Sequence, residues 1–486
     1  MSMFTTFRKS ITEHAWFNDR RLSERYGLII DQIGSNFGSK LPQSAGNVAA
    51  TKGLYRFMNN PKVSTAALCS ADASRLLERL QQEKSKTYLA VSDTTGLNYS
   101  TKKSKDDLNC LDSVKQKGMY LHSTILLDAA GCPEGLLRTA FFDRTAFFDR
   151  TADEVGTARK ARNTNIGAKK PIEYKESYRW LEDMNQLHKL FGGLTQHRFV
   201  HLCDSEADMY EWYANRQYDH IHYLTRLHHD RLVEGADKHI FTALAAAPVS
   251  GCKVCRIKDD YTNELRNAKL ELKWLKTTLK VPQSLRTYQK EKAYENIDCY
   301  VVELQEIDFT PRKYINAKGE TKYTEPLCWR LITSLPVTNL EEALEVVAFY
   351  LHRWRVEDYH LVFKEGFEIE ELQFETGVAL RKSILTYAVV AVQVLRLRYL
   401  QETQADSPME ITGVSSDVFP IIATYLQKVR KIKVDTPQNP TVAQFTQLIT
   451  LLGTGNKKNT GIRALWQGIR EFTIVINTYF TFFQNE

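Results

Sequence analysis

The chain has 486 residues, with 65 Lys and Arg against 58 Asp and Glu and a formal net charge of +7. That length exceeds one compact core, so two to four domains are expected. The 43% apolar and 25% charged content is that of a soluble globular protein, and the mild positive balance permits a polyanionic partner without demanding one. No apolar run reaches the roughly 20 residues that span a bilayer, and the N-terminus, Met1-Ser-Met-Phe-Thr-Thr-Phe-Arg-Lys, lacks an apolar secretory core. A cytoplasmic chain with no membrane partner is expected.

Residues 1–70 read as helical and polar, with turn signals at Gly34, Gly38 and Asn59-Asn-Pro61. Arg8, Lys9, Arg20, Arg21 and Arg25 make the first part basic, which is usually no more than a solvated helix face. From Tyr88 the texture becomes α/β. Strand-like runs fall at 88–92, 120–128, 198–203 and 221–226, with helical stretches near 174–191 and 206–216. Two of these strands run into an aspartate: Tyr88-Leu-Ala-Val-Ser-Asp93 and Arg198-Phe-Val-His-Leu-Cys-Asp204. A carboxylate at a strand's C-terminal edge sits where α/β sheets place ligands. A lone aspartate there also suits an Asx-turn or a helix cap, and Glu206 or Asp208 can stand in for Asp204 as a ligand.

Thr139-Ala-Phe-Phe-Asp-Arg144 is repeated at once as Thr145-Ala-Phe-Phe-Asp-Arg150, a small duplication expected at a strand end. Residues 156–170 then read as a flexible basic loop carrying Arg159, Lys160, Arg162, Lys169 and Lys170, suited to phosphate contact. Residues 232–325 look like a β-rich insertion, and Cys328-Trp329-Arg-Leu-Ile-Thr-Ser like a strand returning to the main sheet. Eight cysteines are scattered through the chain, and Cys252-Lys-Val-Cys255 is read as two strand residues, since structural zinc needs four ligands.

Residues 338–365 predict one long helix, with capping-box spacing at Thr338-Asn-Leu-Glu341 and Gly366 just beyond. Advancing about 100° per residue brings Tyr350, Arg353, Glu357 and Lys364 within about 60° of one another. Arg353 and Glu357 have ion-pair spacing, worth a few tenths of a kcal/mol. A functional reading uses more of the stripe: Glu357 holds a cation, while Tyr350, Arg353 and Lys364 hold phosphates. Beyond about 371 the chain reads as helical, broken at 403–414, 434–440 and 453–461.

Asp93, Asp204 and Glu357 together supply the oxygen ligands that two hard divalent cations need for in-line phosphodiester chemistry, with Mg2+ expected and Mn2+ substituting. The motif Tyr350-x-x-Arg353-x-x-x-Glu357-x6-Lys364, with Leu89-Ala-Val-Ser-Asp93-Thr-Thr and Leu202-Cys-Asp204-x-Glu-Ala-Asp, closely resembles the DDE-type cut-and-paste transposases of the bacterial insertion-sequence-four family. Asp19-x-Arg21-x-x-x-Arg25 and Gly53-Leu-Tyr55-Arg56-Phe-Met-Asn-Asn-Pro61 look like that family's end-binding domain.

The resemblance implies an α/β fold: a ribonuclease-H-like catalytic core over 71–370 with its β-rich insertion at about 232–325, an N-terminal helical DNA-binding domain over 1–70, and a C-terminal helical dimerisation domain over 371–486. It implies that Arg21, Arg25, Arg56 and Arg226 contact DNA and that Trp329 stacks on a flipped base. It further implies a homodimer on double-stranded DNA, two metal ions per site, cleavage through a hairpin intermediate and joining of the 3′-hydroxyl ends to target DNA, in a bacterial cytoplasm on the nucleoid. Two other readings stand beside it: a non-catalytic, sequence-specific DNA-binding inhibitor, and a free-standing metal-dependent nuclease of the same fold.

Overall fold

The computed structural model describes residues 5–35, 47–102, 108–111, 116–142, 170–235, 238–258, 265–316, 319–455 and 461–483. The chain divides into two compact units, one made of residues 1–161 and 354–486, the other of residues 162–353. Most of the hexapeptide duplication and all but the last residue of the basic 156–170 loop lie outside the described residues.

The first unit begins with helices α1 (Thr5–His14), α2 (Arg20–Ser35), α3 (Val48–Asn59) and α4 (Thr65–Gln82). Phe17, Tyr26 and Phe57 interlock through edge-on and stacked contacts and, with Ile30, Leu54 and Met58, fill the space between the first three. Asn47 and Ser64 cap α3 and α4 by accepting from Ala50 N and Ala67 N. Four strands follow: β1 (Thr87–Asn98), β2 (Asn109–Cys110), β3 (Lys117–Asp128) and β4 (Pro133–Phe142). β3 pairs antiparallel with β1, β2 and β4. The first copy of the duplicated hexapeptide begins on β4, where Phe142 stacks on Tyr120 at 5.2 Å.

The second unit contains α5 (Tyr178–Phe191) and the strands β5 (Arg198–Cys203), β6 (Ile221–Arg226), β7 (Gly251–Lys258), β8 (Leu265–Leu279), β9 (Ile297–Ile307), β10 (Lys313–Ile315), β11 (Thr321–Tyr323) and β12 (Cys328–Thr333), then α6 (Leu340–Leu351). Its sheet runs β5-β6-β12-β9-β8-β7. β5 and β6 are parallel and the remaining pairs antiparallel. β12 lies between β6 and β9, and β7 and β8 extend the sheet beyond β9.

The chain re-enters the first unit with α7 (Arg355–Leu361), α8 (Gly377–Thr403), α9 (Val418–Lys428), α10 (Val442–Thr454) and α11 (Ile462–Phe483). α8 has the length and apolarity of a bilayer-spanning helix, which the apolar runs alone did not suggest, but 83% of its most apolar window is buried inside the protein. It is the central helix of this unit. Arg396 and Arg79 both donate to Glu134 of β4, at 3.0 and 2.6 Å, and Lys382 donates to Asn60 O at the end of α3, at 2.8 Å. Buried Asp72 on α4 accepts from Leu136 N of β4 at 2.7 Å.

Two expectations are corrected. Asp93 does not close its strand: β1 continues to Asn98, and Asp93 sits opposite Ser123 in mid-ladder. The β-branched Thr94-Thr95 pair extends the strand instead of turning it. The predicted helix 338–365 is also divided. α6 ends at Leu351, a 3-10 turn covers His352–Trp354, and a π-helical turn covers Val362–Gly366. Its cap is displaced by one residue: Asn339 accepts from Glu342 N, while Glu342 accepts from Thr338 N and Oγ1.

Candidate functional site

The first unit holds Asp93, Glu357 and Lys364. Asp93 Oδ1 accepts from Thr94 N at 2.7 Å. Hydroxyl contacts hold β1 around it: Ser92 Oγ meets Thr124 Oγ1 at 2.8 Å and Thr94 Oγ1 meets His122 Nδ1 at 2.7 Å. α7 packs on β1 and β3 and carries half-buried Glu357. Val356, Tyr359 and His360 form the buried face of that helix. Burial pushes the His360 imidazole down to about 3, with His122 and Lys364 adding to the shift, so it is neutral. Lys364 lies in the π turn, where it donates to Gly96 O of β1 at 2.9 Å and faces Glu370 at 3.6 Å. Inserted residues of this kind often mark functional positions.

The second unit gathers Asp204, Arg226, Trp329, Tyr350 and Arg353. Asp204 follows β5 directly and caps a 3-10 turn, Ser205–Ala207, its Oδ1 accepting from Glu206 N at 2.9 Å. The capping role open to a lone aspartate is thus filled, with one carboxylate oxygen. Thr225 Oγ1 donates to the Asp204 carbonyl. Arg226 ends β6 opposite Leu331 and is exposed. Tyr350, 4% exposed, meets Trp329 of β12 edge-on at 5.5 Å between ring centres. Burial raises the Tyr350 phenol above its ordinary range, against the pull of Arg353 and Arg226 and with the push of Asp204. Asp204, Arg226 and Arg353 thus all lie within electrostatic reach of the Tyr350 phenol.

Both substitutes for Asp204 have protein partners. Glu206 pairs with Arg179. Asp208 is buried and accepts from Tyr213 Oη at 2.7 Å, His228 N at 2.7 Å, His229 N at 2.8 Å and Arg231 Nε at 2.8 Å. Its oxygens are committed to protein donors, so it serves the fold.

In the N-terminal helices, Arg21 is 88% exposed in its side chain and pairs with Asp19 at 3.0 Å. Arg25 lies across Gly53, where a Cβ would come within 3.2 Å of its guanidinium. Arg56 is exposed on α3. Cys252 and Cys255 lie three residues apart on extended β7, about 10 Å by strand rise and too far for a disulfide.

Asp93 and Glu357 belong to one unit and Asp204 to the other. Among the described residues no group of three or more His, Cys, Asp or Glu side chains is clustered as a metal cage. The donor chemistry nevertheless suits magnesium: all three candidates are carboxylates, and Asp204 commits only one oxygen to the backbone.

Residues 5–63, which span α1 to α3, match the family model described as transposase DNA-binding. A structural likeness is found to piggyBac transposase in a synaptic complex with hairpin DNA, solved by cryo-electron microscopy, at 8% identity and a TM-score of 0.29. The match covers 68% of this chain and 51% of that one, so the chain spans about half the length of that transposase.

Proposed function

We propose that this chain is a DNA transposase of the DDE type, akin to the insertion-sequence-four transposases that its motifs resemble. The observation that carries the reading is the match of residues 5–63 to a transposase DNA-binding segment. The catalytic half draws support from two groupings: Asp93 with Glu357 and Lys364 in one unit, and Asp204 with Arg226, Trp329, Tyr350 and Arg353 in the other.

On this reading α1 to α3 bind the terminal repeats of the element, with Arg21, Arg25 and Arg56 on the phosphates. Asp93, Asp204 and Glu357 would hold two Mg2+ ions, replaceable by Mn2+. When bound, such ions stabilise the attacking and leaving oxygens of an in-line displacement at phosphorus. Arg353 and Lys364 hold the phosphates beside the scissile bond, and Tyr350 supports them from the buried side. Water cuts one strand and leaves a 3′-hydroxyl. That hydroxyl attacks the opposite strand and closes a hairpin, which is reopened before the ends join target DNA. A bent terminus must unstack a base, and stacking on Trp329 offsets about 1–3 kcal/mol of that cost. Two protomers pair the two ends, and the exposed apolar residues Ile474 and Phe482 on α11, 53% and 71% accessible, suit such a contact.

A gel-shift comparison tests the DNA-binding half. The full chain is expected to retain a duplex bearing the terminal repeat in preference to a scrambled one, and Arg56→Ala to weaken binding with a slope against log salt shallower by about 0.9. Equal affinity for both duplexes would favour a free-standing nuclease over a transposase.

A further inference from the structure

Between β9 and β12 the chain leaves the sheet of its unit and forms a separate two-stranded antiparallel ribbon, β10–β11. Its register pairs Lys313 with Tyr323, Tyr314 with Lys322 and Ile315 with Thr321. Directly opposed residues share a face, so each face carries one ammonium group beside one phenol ring. The ribbon is built firmly. Arg312 and Thr324 close its base, with Thr324 N donating to Arg312 O and Arg312 N to Thr324 Oγ1, both at 2.9 Å. Below them Leu327 N donates to Glu306, which Arg266 also engages at 2.8 Å. At the tip Asn316 accepts from Glu320 N at 2.9 Å, and Gly319 takes the positive φ of 78° that the turn requires.

This framework presents its side chains outward. Every strand residue except Tyr314 is exposed, including Ile315 at 72% and Tyr323 at 63%. Exposed apolar and aromatic side chains on a short ribbon mark an interaction surface more than a folding need. The charge says what kind. The described residues of 312–325 carry Arg312, Lys313 and Lys322 against Glu320 and Glu325, with Lys322 3.6 Å from Glu320 at the ribbon's edge. Three-residue strands are about 10 Å long and the pair about 5 Å apart. A ribbon of that size enters a major groove about 12 Å wide.

We infer that the β10–β11 ribbon is a second DNA-binding element, separate from residues 5–63. It engages duplex DNA with Lys313 and Lys322 on the phosphates and Tyr323 and Ile315 against the groove. The inference rests on the transposase reading, which supplies a duplex long enough to reach beyond the N-terminal segment. The ribbon leads within five residues into β12, so its contacts adjoin those assigned to Trp329 in the same unit.

The test is fluorescence anisotropy of the full chain on a fluorescein-labelled duplex of mixed sequence, titrated at salt between about 50 and 200 mM. For Lys313→Ala/Lys322→Ala the slope of log affinity against log salt is expected to fall in magnitude by about 1.8, or about 0.9 for each phosphate left without its lysine. Lys313→Arg/Lys322→Arg is expected to restore it, and the thermal midpoint to stay at the wild-type value in both. Wild-type binding with an unchanged slope in the Ala pair would overturn the ribbon alone. A wild-type chain with no affinity for the duplex would overturn the transposase reading and the ribbon with it.

Discussion

Asp204 and Asp208 lie four residues apart and hold different sets of hydrogen-bond partners. Both follow the same strand in the run Asp204-Ser-Glu-Ala-Asp208, and either would serve as a ligand on residue type. The structure separates them by hydrogen-bond partners: Asp208 accepts from four residues in the interior, while Asp204 commits one oxygen to a turn. Asp208→Asn is therefore expected to unfold the chain more easily, by about 3–5 kcal/mol, because Arg231 is left as an uncompensated buried charge. Urea denaturation reads this directly, and a midpoint within error of wild type would remove Asp208 from the structural frame. For cleavage the order reverses: Asp204→Asn is expected to abolish it and Glu206→Gln to preserve it.

Three buried histidines set the response to acid. Burial pushes His188 and His222 down to about 4 and His360 to about 3. Unfolded, each titrates near 6.5, so only the unfolded chain gains their protons as pH falls below that value. Their neutral burial is fully compatible with the fold above about pH 6.5 and costs about 1.4 kcal/mol per histidine per pH unit on the way down to about 4. Urea midpoints are expected to drop steadily between pH about 7 and about 5. A flat midpoint over that range would contradict neutral burial.

At the scale of elements, the alternation and periodicity of the sequence located β3, β5, β6, α5 and the breaks among the C-terminal helices, because those signals come from burial on one or both faces. The boundaries that failed have local causes. The Asp93 strand continues because Thr94 and Thr95 favour extended backbone. The 3-10 turn at His352–Trp354 and the π turn at Val362–Gly366 leave the apolar spacing nearly intact, and neither contains Pro, so periodicity reads through them. The packing of α10 on α11 was equally invisible. It depends on Gly453 and Gly468: a Cβ on Gly468 would lie 1.8 Å from Ile449 O, and one on Gly453 would lie 2.6 Å from Gly468 N. The two helices thus touch backbone to backbone. Gly468→Ala is expected to force them apart at about 1–3 kcal/mol, lowering the thermal midpoint. An unchanged midpoint would show that the helices have room to part.

For the molecule as a whole, the sequence nominated the candidate residues, and the structure shows which of them share a unit. Tyr350 and Arg353 share a unit with Asp204, Arg226 and Trp329, and Glu357 and Lys364 share one with Asp93. The motif thus spans the boundary between the two units, which falls between Arg353 and Trp354. The proposed reaction needs all three carboxylates, Asp93, Asp204 and Glu357. Its most direct measurement is a cleavage assay on a duplex bearing the terminal repeat, with Mg2+ or with a chelator, for the wild type and for Glu357→Ala. A nick that matures to a hairpin is expected only for the wild type with Mg2+, and retained end binding without cleavage for the variant. Magnesium-dependent cleavage that survives Glu357→Ala would contradict the need for Glu357.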